Sequence, residues 1–231
     1  MTRHTELLPD PLPEEPLRVV NHWLTEGWKL KQQPNPNSMV LATVDPEGKP
    51  SARVVLCKEI VPQPGYLVFY TNYLSRKGLD LTQNPRAAAV MHWDALHRQV
   101  RIEGPVVPAP AEDSDAYFAS RPWQSRLGAW ASAQSRPVAS RQDLQAALAA
   151  AARRFGTPVP LGSTDEPRTR TDYLIPRPPH WGGFQVWPDA VELWVEGEAR
   201  IHDRARWTRT LTKRVDGYFD AGPWSSTRLQ P

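Results

Sequence analysis

A chain of 231 residues is long enough to bury a sizeable core and sets an expectation of one or at most two domains. Its 28 basic and 25 acidic residues leave a net charge of +3, too small by itself to imply a nucleic-acid partner. The single cysteine, Cys57, rules out an intrachain disulfide and fits a reducing compartment; with no signal-peptide core and no apolar run of membrane-spanning length, a soluble cytoplasmic protein is expected.

Prolines number 25 and cluster. Those over residues 9–16 predict an extended N-terminal arm, residues 1–16, and those over 158–179 an extended connection within residues 156–180; such segments suit wrapping over a partner or bridging two halves of a fold. Residues 17–231 are then expected to form one domain. Leu17, Val20 and Leu24 recur at i, i+3 and i+7 and predict an amphipathic helix ending near Gly27. Short apolar runs follow at 38–45, 51–58 and 66–71, with turn chemistry at 46–48 and 62–65. Connections this brief make the strands antiparallel neighbours, since a parallel pair needs a crossover. Residues 76–83 predict a short helix stopped by Asn84-Pro85, and two longer strands, 87–93 and 99–107, join around 94–97.

The middle of the chain reads as helical. Helices over 112–119 and 125–131 are separated by Pro122, which interrupts the backbone ladder. Ser140 is placed to cap a helix over 141–155, with Leu144, Ala147, Leu148, Ala151 and Phe155 as its apolar stripe and Gly156 at its C-terminal cap. Strands return at 183–187, 191–196 and 204–211, with a last run near Thr227. Strands dominate and helices are inserted between them, so a mainly β protein, an antiparallel barrel with peripheral helices, is the expected architecture.

Several common catalytic signatures are absent. The sequence holds no glycine-rich dinucleotide fingerprint, no phosphate loop ending in Gly-Lys-Ser/Thr and no Gly-x-Ser-x-Gly elbow. Its six histidines and one cysteine form no metal signature, so no metal is expected. Cys57 follows Val54-Val55-Leu56 and reads as an inert core thiol rather than a nucleophile. What remains are donors suited to anions. Ser75, Arg76 and Lys77 gather where the run Tyr66 to Tyr70 stops at Thr71-Asn72, and such groups bind phosphate through charge-assisted hydrogen bonds. Strand alternation sends Arg53 and Lys58 to opposite faces, as if for two different anions. Arg200, His202 and Arg204 would share one face of a regular strand, and Tyr117 and Arg121 lie one helical turn apart, with Ser125 beyond. Each cluster has a plainer account: surface strand charge for Arg53…Lys58 and Arg200…Arg204, and helix-face solvation for Tyr117…Arg121. Likewise the basic bias over 200–214 reads as a phosphate face, a nucleic-acid patch or an exposed strand.

Taken in order, the motifs resemble the pyridoxamine/pyridoxine 5′-phosphate oxidases. They are Asn37-Ser-Met-Val-Leu-Ala-Thr43, Arg53-Val-Val-Leu-Cys-Lys58, Phe69-Tyr-Thr-Asn72 with Ser75-Arg-Lys77, and Arg98-Gln-Val100. Further on come Tyr117-Phe-x-Ser-Arg-Pro122, Gly128-Ala-Trp130, Gln134-Ser135, Trp181-Gly-Gly183, Trp194, Arg200-x-His-Asp-Arg204 and Arg228-Leu-x-Pro231. The resemblance implies an FMN-binding antiparallel Greek-key split β-barrel that works as a homodimer, with FMN at the subunit interface. It implies oxidation of pyridoxamine or pyridoxine 5′-phosphate to pyridoxal 5′-phosphate, with O2 as acceptor and H2O2 as co-product.

Carried over residue by residue, the resemblance gives the cofactor Arg53, Val54, Val55, Leu56, Cys57, Lys58, Tyr70, Thr71, Ser75, Arg76, Lys77, Gln99, Gln134, Ser135, Trp194 and Arg204. Arg53, Arg76 and Lys77 would hold the FMN phosphate. Lys58, Tyr117, Arg121 and Ser125 would take the substrate phosphate, while Arg200 and His202 would lie over the pyridine ring as the catalytic pair. Three departures stand out: the arm lacks the family's Arg-x-x-Tyr element, Trp123 and Arg126 replace its usual polar residues, and the 156–180 connection is long. Two other readings share the motifs: a flavin oxidase of the phenazine-biosynthesis type, and a non-catalytic flavin, pyridoxal phosphate or nucleic-acid binder.

Overall fold

Apolar side chains at every second position make strands with one face on a core, and the chain repeats this pattern. The computed structural model describes residues 6–160 and 173–231; the first five residues of the arm and residues 161–172 of the connection lie outside the described residues. The order is α1 (Pro16–Leu30), β1 (Ser38–Val44), β2 (Pro50–Leu56), β3 (Glu59–Val61), β4 (Tyr66–Asn72), α2 (Arg76–Gln83), β5 (Arg86–Trp93) and β6 (Arg98–Pro108). Then come α3 (Ala111–Ser120), α4 (Trp123–Ala131), α5 (Arg141–Phe155), β7 (Trp181–Val186), β8 (Ala190–Val195), β9 (Asp203–Thr208), β10 (Leu211–Lys213), β11 (Phe219–Ala221) and β12 (Ser225–Leu229). The fold is mainly β, a half-barrel of antiparallel strands curling 189° round an axis, with peripheral helices.

The chain divides into two units. The larger comprises Met1–Phe69, Asp80–Val107 and Phe184–Pro231. Its strands run in the order β12-β9-β8-β6-β5-β1-β2, each antiparallel to the next. Met39, Leu41, Met91, Trp93, Val100, Ile102, Leu193 and Trp207 are buried on one side, together with Leu17, Val20 and Trp23 of α1. Full burial of each large side chain contributes about 1.5–3 kcal/mol. Two of the buried indoles visibly satisfy their polar tips: Trp93 Nε1 donates to Pro36 O at 2.7 Å and Trp207 Nε1 to Pro13 O at 2.7 Å.

The smaller unit comprises Tyr70–Leu79 and Pro108–Gly183. Here α4 and α5 pack around Leu127, Ala151, Ala152 and Ile175, flanked by Trp123, Trp130, Phe155 and Tyr173. Ser140 caps α5 by accepting from Asp143 N at 3.1 Å, and Gly156 ends it at φ 62, as the sequence predicts.

Four expectations need correction. Helix α1 passes Gly27 and ends at Leu30, with Lys31 taking the left-handed cap. Gly27 is a packing residue, since a Cβ there would lie 3.1 Å from both Pro36 and Trp93. Leu144 is 48% exposed and leaves the stripe of α5, which keeps Leu148, Ala151 and Phe155 against the core and gains Ala152. The predicted strand 204–211 breaks after Thr208, and Leu211–Lys213 pairs instead with Phe219–Ala221. The short strand β3, paired antiparallel with β4, carries too few residues to show a period.

Candidate functional site

In the smaller unit the end of β4 turns sharply into α2. Asn72 Oδ1 accepts from Leu74 N at 2.8 Å, its carbonyl accepts from Ser75 Oγ at 2.7 Å, and Ser75 O accepts from Leu79 N at 2.9 Å. Gly78 makes the turn possible: a Cβ there would sit 2.2 Å from Tyr73 O. Lys77, 8% exposed, bends back so that Nζ donates to Gln134 Oε1 at 2.8 Å, Thr71 Oγ1 at 3.0 Å and Ser75 Oγ at 3.2 Å. Lys77, Thr71, Ser75 and Gln134, all given to the cofactor by the resemblance, therefore converge. Arg76 points to the surface, and Ser135 is exposed at φ 68.

An aromatic stack stands in the same unit. Tyr70 lies 4.0 Å from Tyr117 and 5.6 Å from Trp181, with all three rings nearly parallel. Arg121 follows the end of α3, in extended conformation before Pro122, so it does not continue the helical turn from Tyr117. Its guanidinium lies 4.7 Å over the Trp181 ring and 5.4 Å over Phe118. Burial pulls its pKa below the usual arginine value, and Nη1 is buried with no hydrogen-bond partner among the described residues. Arg121, Trp181, Asn72, Ser125, Ser132 and Gln134 help to line an open cavity of about 260 Å³. A second cavity of about 490 Å³ is lined by Arg121, Trp123, Gln124 and Arg126, two of which are the departures noted above; Trp123 packs edge-on against Tyr173 at 5.1 Å.

In the larger unit, register aligns three of the expected flavin residues. Gln99 on β6 stands opposite Trp194 on β8, and Trp194 opposite Arg204 on β9. Arg204 donates through Nε at 3.2 Å and Nη2 at 2.8 Å to Oε1 of Glu192, whose Oε2 accepts from Arg101 at 3.0 Å. Glu192 is 4% exposed, and the sequence reading missed it; a lone carboxylate inside Val191-Glu192-Leu193-Trp194-Val195 was the available signal. Arg53 on β2 donates to Thr43 Oγ1 at 2.7 Å, Ser51 Oγ at 2.8 Å and Leu41 O at 3.2 Å, with buried Asp80 at 3.7 Å. Thr43 and Asp80 are likewise partners that the sequence did not suggest.

Two further placements differ from expectation. Strand β2 ends at Leu56, so alternation from Arg53 does not extend to Lys58, which is exposed and donates its N–H to Val68 O at 2.8 Å. Arg200, His202 and Arg204 do not share a strand face either. Ala199 and Arg200 are left-handed at φ 52 and 65, and β9 begins only at Asp203. His202 rests 4.7 Å from Trp194, and its Nδ1 accepts from Gly197 N at 3.2 Å. The neighbours of Arg53 are more ordinary: Val54 is exposed, Val55 and Leu56 half-buried. Cys57 is buried, with both main-chain groups bonded to Asn37. Desolvation pushes the Cys57 thiol up to about 12, consistent with an inert core thiol.

The basic bias over 200–214 is largely consumed by partners. Arg206 pairs with Glu103 at 2.8 Å and Arg214 with Asp216 at 2.7 Å. Arg209, lowered to about 10 by burial, donates to Pro64 O, Gly65 O and Pro188 O and stacks on Trp224. Among the described residues no group of three or more His, Cys, Asp or Glu side chains could hold a metal ion, and no helix is long and apolar enough to cross a membrane.

The family described as "Pyridoxamine 5′-phosphate oxidase" matches residues 29–154, and the one described as "Pyridoxine 5′-phosphate oxidase C-terminal dimerisation region" matches residues 181–231. A pyridoxine/pyridoxamine 5′-phosphate oxidase of Burkholderia lata is 45% identical over 218 residues, covering 94% of this chain and 89% of its own. That of Paracoccus denitrificans is 45% identical over 228 residues, covering 94% and 96%. Among solved structures, PhzG from Burkholderia lata in complex with tetrahydrophenazine-1-carboxylic acid is similar at TM-score 0.77 and 27% identity, covering 96% of this chain and 95% of its own. A pyridoxamine 5′-phosphate oxidase-related, FMN-binding protein from Nostoc punctiforme shares the fold at TM-score 0.63 and 18% identity, covering 93% and 96%.

Proposed function

The chain belongs to the pyridoxamine/pyridoxine 5′-phosphate oxidase family, and from that premise we propose that it oxidises pyridoxamine or pyridoxine 5′-phosphate to pyridoxal 5′-phosphate with FMN and dioxygen. The observation that carries this reading is Arg121. A guanidinium held against Trp181 beside a cavity, with a buried N–H unpartnered among the described residues, is a donor awaiting an anion. A substrate phosphate would complete it, with Ser125 on the same cavity wall and Tyr117 in the adjoining stack. Lys58 is the further donor assigned to that phosphate.

The donors that converge at the end of β4, Lys77 with Thr71, Ser75 and Gln134, are of the kind that would hold FMN. Lys77 and Arg76 at the start of α2, with Arg53 on β2, are assigned to the flavin phosphate; Tyr70, Thr71, Ser75, Gln134 and Ser135, the 54–57 segment, and the row Gln99, Trp194, Arg204 are assigned to the rest of the cofactor. When bound, FMN supplies a hydride acceptor at the substrate C4′ carbon and passes the electrons to O2, giving H2O2. The protein's part is to anchor both phosphates and orient C4′, with Arg200 and His202 over the pyridine ring. With the amine substrate, hydrolysis of the resulting imine releases ammonia. The match of residues 181–231 to a dimerisation region supports a homodimer, with the flavin proposed at its interface, and a cytoplasmic location is part of the same proposal.

A phenazine-type oxidation is the alternative suggested by the solved relative. The number of donors assigned to one anion, Lys58, Tyr117, Arg121 and Ser125, weighs against it, since four donors suit the three terminal oxygens of a phosphate better than the two of a carboxylate. The deciding experiment incubates FMN-loaded protein with pyridoxamine and pyridoxine 5′-phosphates and follows the aldehyde product with H2O2. Bound flavin without turnover of either would reject the oxidase reading in favour of another substrate or a carrier.

A further inference from the structure

The segment from Gly197 to His202 is a tight knuckle between β8 and β9. Ile201 N donates to Glu198 O at 2.9 Å, and Ala199 and Arg200 are both left-handed, a conformation that neither residue type favours. At its base the chain nearly touches itself, because a Cβ on Gly197 would lie 1.9 Å from Ile201 O. That closeness aims the Gly197 N–H at the imidazole of His202, 3.2 Å from Nδ1. Trp194 supports the ring from the side, with centroids 4.7 Å apart and planes inclined by 45°.

A main-chain N–H can only donate, so the Nδ1 that receives it must offer its lone pair, and the proton of the neutral ring then sits on Nε2. We propose that Gly197 positions His202 as the Nε2–H tautomer, so that His202 serves the reaction as a hydrogen-bond donor to a substrate oxygen and not as the acceptor of the proton released when C4′ is oxidised. The role deepens the oxidase reading and rests on it; the tautomer does not. Strain held in the knuckle thereby has a use: it fixes which ring nitrogen faces outward as a donor. Arg200, in the same knuckle, remains the cationic partner over the ring.

Two measurements decide the matter. The first is long-range proton–nitrogen NMR on FMN-loaded protein labelled with 15N-histidine, run at mildly alkaline pH so that the neutral ring is the species observed. His202 is picked out from the six histidines by the signal lost in His202→Gln. An Nε2–H pattern is expected; an Nδ1–H pattern overturns the proposal. The second compares His202→Gln, whose amide N–H stands where Nε2–H was, with His202→Asn, whose amide reaches only as far as Nδ1. A donor role predicts that the Gln variant keeps about five- to tenfold more kcat/KM than the Asn variant, the range of one neutral hydrogen bond. Were His202 the proton acceptor, both would fall alike by about a hundred- to ten-thousand-fold; equal losses of any size overturn the donor role. Wild-type protein that binds FMN yet turns over neither B6 phosphate refutes the oxidase reading, while the NMR result still decides the tautomer.

Discussion

Replacing Arg121 with Met tests the phosphate assignment most directly. The thioether chain keeps apolar contact with Trp181 and Phe118 but removes the guanidinium. Without ligand, the change relieves a buried, unpartnered Nη1, which costs the native protein about 1–3 kcal/mol. It also forfeits two cation–π contacts worth about 0.5–1 kcal/mol each. These terms nearly cancel, so the melting temperature should stay within about 2–4 °C of wild type, the shift expected for 1 kcal/mol in a chain of this size. With phosphorylated substrate the loss is one-sided: a charge-assisted contact of about 1.5–3 kcal/mol disappears, lowering kcat/KM about 10- to 150-fold. Steady-state assays on pyridoxine 5′-phosphate and on unphosphorylated pyridoxine separate the effects, because the second substrate lacks the group that Arg121 is proposed to hold. FMN affinity, read by flavin fluorescence, should not move. Equal losses on both substrates, or a fall in melting temperature beyond about 10 °C, would mean that Arg121 supports the fold rather than the phosphate.

Lys77→Met should weaken FMN binding by at least about tenfold, one charge-assisted contact, whereas Arg200→Ala should cut kcat and leave flavin affinity unchanged; a flavin titration beside a turnover assay reads both, and parallel losses contradict the division of roles. Glu192→Ala removes the carboxylate that Arg204 and Arg101 share, leaving, among the described residues, Arg101 only Glu103 and Arg204 only the Gln230 carbonyl. Because Arg101 is 42% exposed and can rehydrate, the expected destabilisation is about 3 kcal/mol, the lower end for breaking a buried pair, measured by urea unfolding. Cys57 gives a pH prediction. Its folded pKa of about 12 stands above the unfolded value of 9.0, so the unfolded chain alone loses the proton between them. Stability contributed by this thiol is complete below pH 9 and falls as pH rises toward 12, by at most about 1.4 kcal/mol per pH unit. Comparing urea midpoints of wild type and Cys57→Ala from pH 8 to 10.5 isolates that slope; identical slopes would show that the thiol is not buried as described.

How much the sequence disclosed depended on whether the deciding interaction was local. Helix α5 could be read to the residue because both of its ends are set by neighbours in sequence: Ser140 bonding to Asp143 N, and Gly156 free to turn left-handed. The end of α1 could not, since Gly27 answers to Trp93 and Pro36, contacts that exist only after folding. The predicted hairpin strands survived nearly intact because apolar alternation is written in consecutive residues, while β10 and β11 are too short to carry a period.

The same distinction runs through the candidate site. Lys77, Thr71 and Ser75 are near in sequence, so their meeting was foreseeable, and only Gln134 arrives from afar. Arg200, His202 and Arg204 were expected to align because alternation assumes an unbroken strand. Nothing in Ala199-Arg200 announces two left-handed residues, so the knuckle was invisible. Glu192 shows why residue type outruns geometry in such a reading. Its burial within an apolar strand signals a cationic partner, but only the β8–β9 and β6–β8 registers reveal that two arginines share it, Arg204 on one side and Arg101 on the other. Since a one-residue slip in either register would carry the side chains to the opposite face, the pairing that orients Arg204 is a property of the whole sheet. No segment of the chain holds it alone.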